Sequence, residues 1–214
     1  MTAHSMPWWH PDGFAARRSR LEARAAMLAS IRDGFRRDGF LEVETPDLQV
    51  SPGLEPHLRA FRTAIEDPFG SAPRTLHLHT SPEFAMKKLL VAGVPRIFQF
   101  ARVFRNGERS ATHHPEFTML EWYRAEPDWR VLVDDCRRIL RAAWDAVPAG
   151  LRGEGGFAWR GAVADPLADW EMLSVAEAFD RHAGLDIVPL LGDAAAFAAA
   201  ARAIGIAAQP HDRW

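Results

Sequence analysis

Two strand-like runs, Arg96 to Arg105 and His114 to Arg124, flank one polar loop, Asn106 to His113, and no other feature constrains the fold as much. Neighbouring runs joined this way pair as an antiparallel hairpin, because parallel neighbours need a long crossover. A doubly wound parallel sheet is therefore disfavoured, and an α+β fold with a mostly antiparallel sheet is expected. On the second run Phe117, Met119, Glu121 and Tyr123 share one face by period-two alternation. A ring, a carboxylate and a phenol on one face suit a site that stacks a flat ring at one end and holds a cation at the other. The alternative is a solvated hairpin in which Arg105 pairs with Glu121 or Glu116 across the strands.

The remaining pattern reads as helix, strand, helix, hairpin, helix. Leu21, Ala25, Leu28, Ile31 and Phe35 predict a helix over Ser19 to Arg37, with Ser19 and Glu22 as a capping box. Strands are expected at Phe40 to Thr45 and Leu76 to His79, with a loop containing Pro52, Gly53 and Pro56 between them. Ser81 is placed to cap a short helix closed by Gly93. Leu132, Cys136, Ile139, Leu140 and Ala143 predict a helix over Asp128 to Trp144. Glycines at 150, 153, 155, 156 and 161 predict a flexible insertion over 148–166. Ser174 and Glu177 start another capped helix, and the Ala-rich run from Ala194 to Ala203 reads as a soluble one. The string Gln209 to Arg213 looks like a turn leading into a further element.

Composition narrows the function. The 214 residues are 48% apolar and 25% charged, enough for a sizeable core. A formal net charge of −2 argues against a strongly basic nucleic-acid binder. The single cysteine, Cys136, leaves no internal disulfide and suits a reducing, cytoplasmic location; its place on an apolar helix face favours a structural thiol. Met1 to Pro11 has no continuous apolar core of secretory-leader kind, and no run approaches a membrane span.

Candidate chemistry lies in three places. Glu83, near a helix N-terminus, either receives an ammonium group or pairs with Lys87 one turn on. Arg105, where its strand meets the loop, can hold a phosphate or carboxylate in a bidentate fork. His77 and His79 share a strand face, but with no convincing third ligand no metal site is expected. His113 and His114 suit hydrogen bonds to an anion or a place in the loop wall, and Arg17, Arg18, Arg20 and Arg24 suit a solvated helix face.

Three segments resemble a known family. Ile31 to Leu48, IRDGFRRDGFLEVETPDL, resembles motif 1 of the class II aminoacyl-tRNA synthetases in its lysyl form. Thr80 to Leu90, TSPEFAMKKLL, resembles their lysine-site segment, and Phe104 to Tyr123, FRNGERSATHHPEFTMLEWY, resembles motif 2. Trp170 to Phe179 is similar to the family's continuation. Thirty residues precede motif 1, too few for an anticodon-binding barrel. The chain thus resembles the short paralogues that charge a lysine of elongation factor P with (R)-β-lysine instead of charging tRNA.

The resemblance implies a class II synthetase-like antiparallel sheet flanked by helices and incomplete at the C-terminus. Residues 1–18 would be an N-terminal extension and 19–214 a partial catalytic domain. Ser81, Pro82 and Glu83 would line the amino-acid site, with Glu83 receiving an ammonium and Glu121 and Tyr123 holding the other end of lysine or (R)-β-lysine. Arg105 would be catalytic, binding the α-phosphate of ATP, while Asn106, Gly107, Glu108 and His114 surround the nucleotide and Phe117 stacks on adenine. Partners would be elongation factor P and a second copy of the chain through motif 1, with neither tRNA nor a membrane. Two alternatives stand beside this: a lysine–tRNA ligase without its anticodon domain, and a non-catalytic dimerisation or regulatory module.

The chain also departs from the family's pattern. Gly107 stands where a glutamate is usual, so Glu108 or the backbone would take its role; His114 replaces an asparagine. Thr112 or Ala111 stands where a loop arginine is usual, and Arg109 could reach in instead. Motif 3, with its arginine for the γ-phosphate, and the preceding strand, with a glutamate for substrate and Mg2+, are not found before Trp214. The expectation is a piece of a longer enzyme. The 214-residue chain by itself should bind ATP poorly and show no ATP–pyrophosphate exchange, and measurable exchange would overturn that expectation.

Overall fold

Pro11 opens helix α1, Pro11–Arg37, eight residues before the predicted start. Proline suits a first helical position because its missing N–H would have no partner there. Ser19 therefore lies inside the helix and forms no capping box. The added turns carry alanines and arginines without apolar periodicity, so the pattern did not mark them. The computed structural model describes residues 7, 9–70, 72–125 and 128–206, and the expected Gln209–Arg213 turn lies outside them.

Gly39, at φ 77°, turns the chain out of α1 into β1, Leu41–Glu42. This strand is shorter than the run from Phe40 to Thr45, though the Val43 N–H still bonds to the Phe98 carbonyl. The segment read as a loop then contributes β2, Leu48–Gln49, and a fully exposed β3, Arg62–Ile65, follows. Two residues between prolines and four with no buried face carry no alternation to read. Both pair antiparallel with β4, Arg74–Leu78.

After β4 come α2, Glu83–Val91; β5, Arg96–Phe104; and β6, Glu116–Arg124. The hairpin forms as predicted, in unbroken antiparallel register from Arg96 opposite Arg124 to Phe104 opposite Glu116. β1 lies parallel on the other side of β5. Helix α3, Arg130–Ala146, follows, and the glycine-rich 148–166 stretch holds a hairpin of β7, Phe157–Trp159, and β8, Ala162–Ala164. The chain divides into two compact units, Met1–Leu167 and Ala168–Trp214. The second contains α4, Val175–Ala183, with the predicted Ser174–Glu177 capping box formed, and α5, Ala194–Ala203, capped by Asp193. No helix among the described residues is long and apolar enough to cross a membrane.

The core of the first unit lies on one face of the hairpin. Phe98 is fully buried, stacked on Phe35 at 4.7 Å, with Ile31, Phe40 and Ala143 completing the cluster. Burying one such aromatic is worth about 2–3 kcal/mol. Beside this cluster sits a buried carboxylate, Asp135. It accepts hydrogen bonds from Trp122 Nε1 at 3.1 Å and from Arg124 at 2.8 and 2.9 Å, and it also pairs with Arg138. Burial alone would raise the Asp135 pKa, but the bonds and charges of Arg124, Arg138 and Trp122 outweigh it and hold the carboxyl below its ordinary range. A depressed carboxylate contributes stability above its unfolded value, near pH 4, and loses it as pH falls through the folded value. Asp135→Asn is expected to cost about 3 kcal/mol at neutral pH. It should also flatten the acid limb of stability measured by denaturant melts from pH 6 to 2.

Candidate functional site

Every residue of the predicted chemical face except Met119 takes part in a polar or ring contact. The face opposite the aromatic core carries Phe117, Met119, Glu121 and Tyr123 from β6, facing Val103, Ala101, Gln99 and Ile97 of β5. Those four β5 residues are buried, while the β6 residues beside them are half-buried. Gln99, buried beside Glu121 on the neighbouring strand, accepts a bond from the Thr45 hydroxyl at 3.0 Å.

Glu121 is the centre. The Ser81 hydroxyl donates to its Oε1 at 2.5 Å and the Tyr123 hydroxyl to its Oε2 at 2.7 Å. Both donors are neutral, so the carboxylate charge is oriented but not cancelled. Burial first, and the neighbouring Glu121 second, push the Tyr123 phenol well above its ordinary pKa. Ser81 reaches Glu121 because it sits in the tight passage from β4 to α2, where its hydroxyl also accepts from the Glu83 N–H at 3.0 Å. Pro82 is fully buried and packs rather than projects.

Glu83 forms the pairing one turn on that helical spacing allows: Lys87 Nζ lies 2.5 Å from its Oε1. Arg105 does not pair with Glu121 or Glu116 across the strands. Its Nε donates to the Thr80 carbonyl at 3.3 Å, its guanidinium lies over the Phe117 ring at 5.3 Å, and its nearest carboxylate is Glu108 at 3.9 Å. Glu116 pairs with Arg102 instead. Asn106 donates its backbone N–H to the Arg59 carbonyl, and Gly107 takes a φ of 87° that a side chain would strain. His113 bonds to the Ser110 and Thr112 hydroxyls, and His114 Nδ1 lies 2.8 Å from the Glu116 carbonyl, so both hold the loop's own shape.

Thr80 joins these two poles. Its carbonyl holds Arg105, and the next residue holds Glu121. Chemically, one pole offers a carboxylate that could receive an ammonium, and the other offers a cation beside an aromatic face, which fits a nucleotide's phosphate and base. His79 spends its Nε2 on the Arg102 carbonyl, and among the described residues no group of three or more His, Cys, Asp or Glu could hold a metal. A cleft lined by Pro52, Gly53, Glu55, Ser81, Glu83 and Phe84 opens beside Ser81. Glu55 was invisible to spacing arguments because it stands in an irregular loop. A cavity of about 300 Å3 lies between α1 and α3 on the other side of the sheet.

Residues 15–196 match the family model described as tRNA synthetases class II (D, K and N). The chain belongs to this family. Its class II synthetase fold is the α+β architecture described above, with an antiparallel hairpin and an open sheet. Two relatives, from Histophilus somni strain 2336 and Erwinia tasmaniensis, are named elongation factor P–(R)-β-lysine ligase. The first is 40% identical over 83% of this chain and 48% of its own length. The second is 38% identical over 92% of this chain and 53% of its own length. A Haemophilus influenzae protein of the same name is 46% identical over 59% of this chain. The chain spans about half the length of the curated relatives it matches most broadly.

Tyr123 is the single tyrosine, so its ionisation can be watched alone. A phenol raised in the folded state loses stability as pH climbs above the unfolded value near 10, because the unfolded chain releases its proton first. Absorbance at 295 nm is expected to show no tyrosinate at pH 10.5 (about half a unit past the model value) while circular dichroism remains native. Ordinary titration near pH 10 in the folded chain would contradict the half-buried Tyr123–Glu121 bond.

Proposed function

We propose that this chain carries the amino-acid-activating site of an ATP-dependent ligase for a lysine-type substrate, (R)-β-lysine, with elongation factor P as acceptor. The observation that carries the reading is the Glu121 carboxylate, oriented by Ser81 and Tyr123 and left uncancelled, one passage away from Arg105 on Phe117. The names of the relatives supply the substrate and the acceptor.

Glu121 holds the substrate's terminal ammonium, with Ser81 and Tyr123 fixing its oxygens, while Glu83 faces the other end. Phe117 stacks the adenine of ATP, and Asn106, Gly107, Glu108 and His114 shape the loop around it. Arg105 binds the α-phosphate. The substrate carboxylate attacks the α-phosphorus, the bond to the β-phosphate oxygen breaks, and pyrophosphate leaves with an aminoacyl adenylate formed. Arg105 stabilises the charge that grows on the α-phosphate oxygens. A lysine amine of elongation factor P then attacks the adenylate carbonyl, forming an amide and releasing AMP and a proton. Mg2+ accompanies ATP as a counter-ion; the described residues offer no three-ligand site for it. The motif 1 segment, α1 and β1, serves a homodimer in the cytoplasm. Residues 19–214 form part of the catalytic domain, preceded by an extension over 1–18 and interrupted by the 148–166 insertion.

The test uses non-hydrolysable sulfamoyl adenylates of (R)-β-lysine, lysine and leucine, measured by calorimetry on the protein produced in its own cells. The two lysine-type compounds should bind and the leucine compound should not. Glu121→Gln should weaken them by about ten- to a hundredfold, the worth of a charge-assisted hydrogen bond. Equal binding of all three, or indifference to Glu121→Gln, would sink the reading. The acceptor is tested on protein isolated from its own cells: elongation factor P should gain the mass of one β-lysyl residue, and charging of tRNA instead would overturn it.

A further inference from the structure

We infer that His79 is a positioning residue for nucleotide binding: its imidazole joins the end of β4 to the open edge of β5, and so fixes the Thr80 carbonyl that holds Arg105. The inference rests on the ligase reading above, in which Arg105 takes the α-phosphate. β4 and β5 belong to different sheets, one ordered β2-β4-β3 and the other β1-β5-β6. Along an antiparallel strand, main-chain groups point alternately toward the partner and away from it. Arg105 donates its N–H to the Pro115 carbonyl on the β6 side, so the even-numbered residues of β5 turn theirs to the other edge. β1 covers that edge only at Ile97 and Phe98. Beyond Phe98, among the described residues, no strand of the same sheet lies beside β5 there.

His79 completes the edge. Its carbonyl accepts from the Phe104 N–H at 3.0 Å, as a neighbouring strand would. The chain then turns toward α2, and the His79 Nε2 lies 2.5 Å from the Arg102 carbonyl, in the place of a main-chain donor. The ring is 1% exposed, its Nδ1 has no partner, and Asp47 Oδ1 lies 3.4 Å from Nε2. A buried ring nitrogen without a partner costs free energy. An apolar side chain would fill the space without that cost; what it would lack is the Nε2 donor. Thr80, the next residue, is thus held from two sides, by His79 toward β5 and by its own hydroxyl on the Pro52 carbonyl at 3.1 Å. Its carbonyl accepts from Arg105 Nε at 3.3 Å. Ser81 has two anchors of its own, Glu121 and the Glu83 N–H. Loss of the imidazole bond should therefore be felt at Arg105 and little at Glu121.

The experiment uses the protein produced in its own cells, with position 79 changed on the chromosome. It follows ATP–pyrophosphate exchange with (R)-β-lysine and with lysine, at varied ATP and varied amino acid. His79→Gln puts an amide nitrogen where Nε2 stood, and His79→Asn puts one where Nδ1 stood. The asparagine variant is expected to lower kcat/KM for ATP about tenfold, the worth of one hydrogen bond, and to leave KM for the amino acid unchanged. The glutamine variant should bring kcat/KM for ATP back to near the unsubstituted value. If the asparagine variant does not fold by circular dichroism, His79→Met, which fills the volume with no donor, is read in its place. A side chain that only stabilised the fold would lower the melting temperature without separating ATP from the amino acid, and the position of the amide would not matter. If the unsubstituted protein exchanges with neither amino acid, the ligase reading itself fails and this inference falls with it. If it exchanges, and the glutamine variant matches the donor-less one or KM for the amino acid moves as far as kcat/KM for ATP, this inference alone is overturned.

Discussion

The register between β5 and β6 is the constraint on which the rest of the first unit depends. Nine consecutive residue pairs lock the two strands. Side chains alternate between faces, so a slip of one residue would turn every side chain of the slipped strand to the opposite face. If β6 slipped, Leu120 and Trp122 would leave the aromatic core, and Glu121 and Tyr123 would enter it. Burying an ionised carboxylate among Phe35, Phe40 and Ile31 without partners would cost several kcal/mol. The apolar core thus enforces the register, and the register aims the chemical face. Stability and function are two sides of one hairpin.

The passage from β4 to α2 performs a comparable double duty at shorter range. The His79 carbonyl accepts from the Phe104 N–H, the Thr80 carbonyl accepts from Arg105, and the Ser81 hydroxyl donates to Glu121. Three consecutive residues therefore hold the end of β5, the candidate phosphate-binding cation and the candidate ammonium-binding carboxylate. Such coupling keeps two poles at a constant separation, which a reaction between a carboxylate and a phosphate requires. A change at Thr80 or Ser81 should be felt at both.

Buried polar groups are treated differently on the two faces. Asp135, on the core side, has its charge matched by Arg124 and Arg138. Glu121, on the other face, is given only neutral donors, the hydroxyls of Ser81 and Tyr123. Both carboxylates have partners, and what differs is whether those partners are charged.

Much of this was legible before any coordinates. Alternation in Phe117, Met119, Glu121 and Tyr123 determined their common face, since period two is a property of the extended chain itself. The capping box at Ser174 and Glu177 is likewise local, and it formed as read. What tertiary structure alone decided are the contacts between segments distant in sequence. β2 and β3 exist because β4 lies between them, not because of any pattern of their own. Arg105 chose the Thr80 carbonyl and the Phe117 ring over the cross-strand carboxylates, and Glu55 reached the cleft through a loop with no periodicity. Local sequence sets which way a side chain points along its own element; which partner it meets depends on packing between elements.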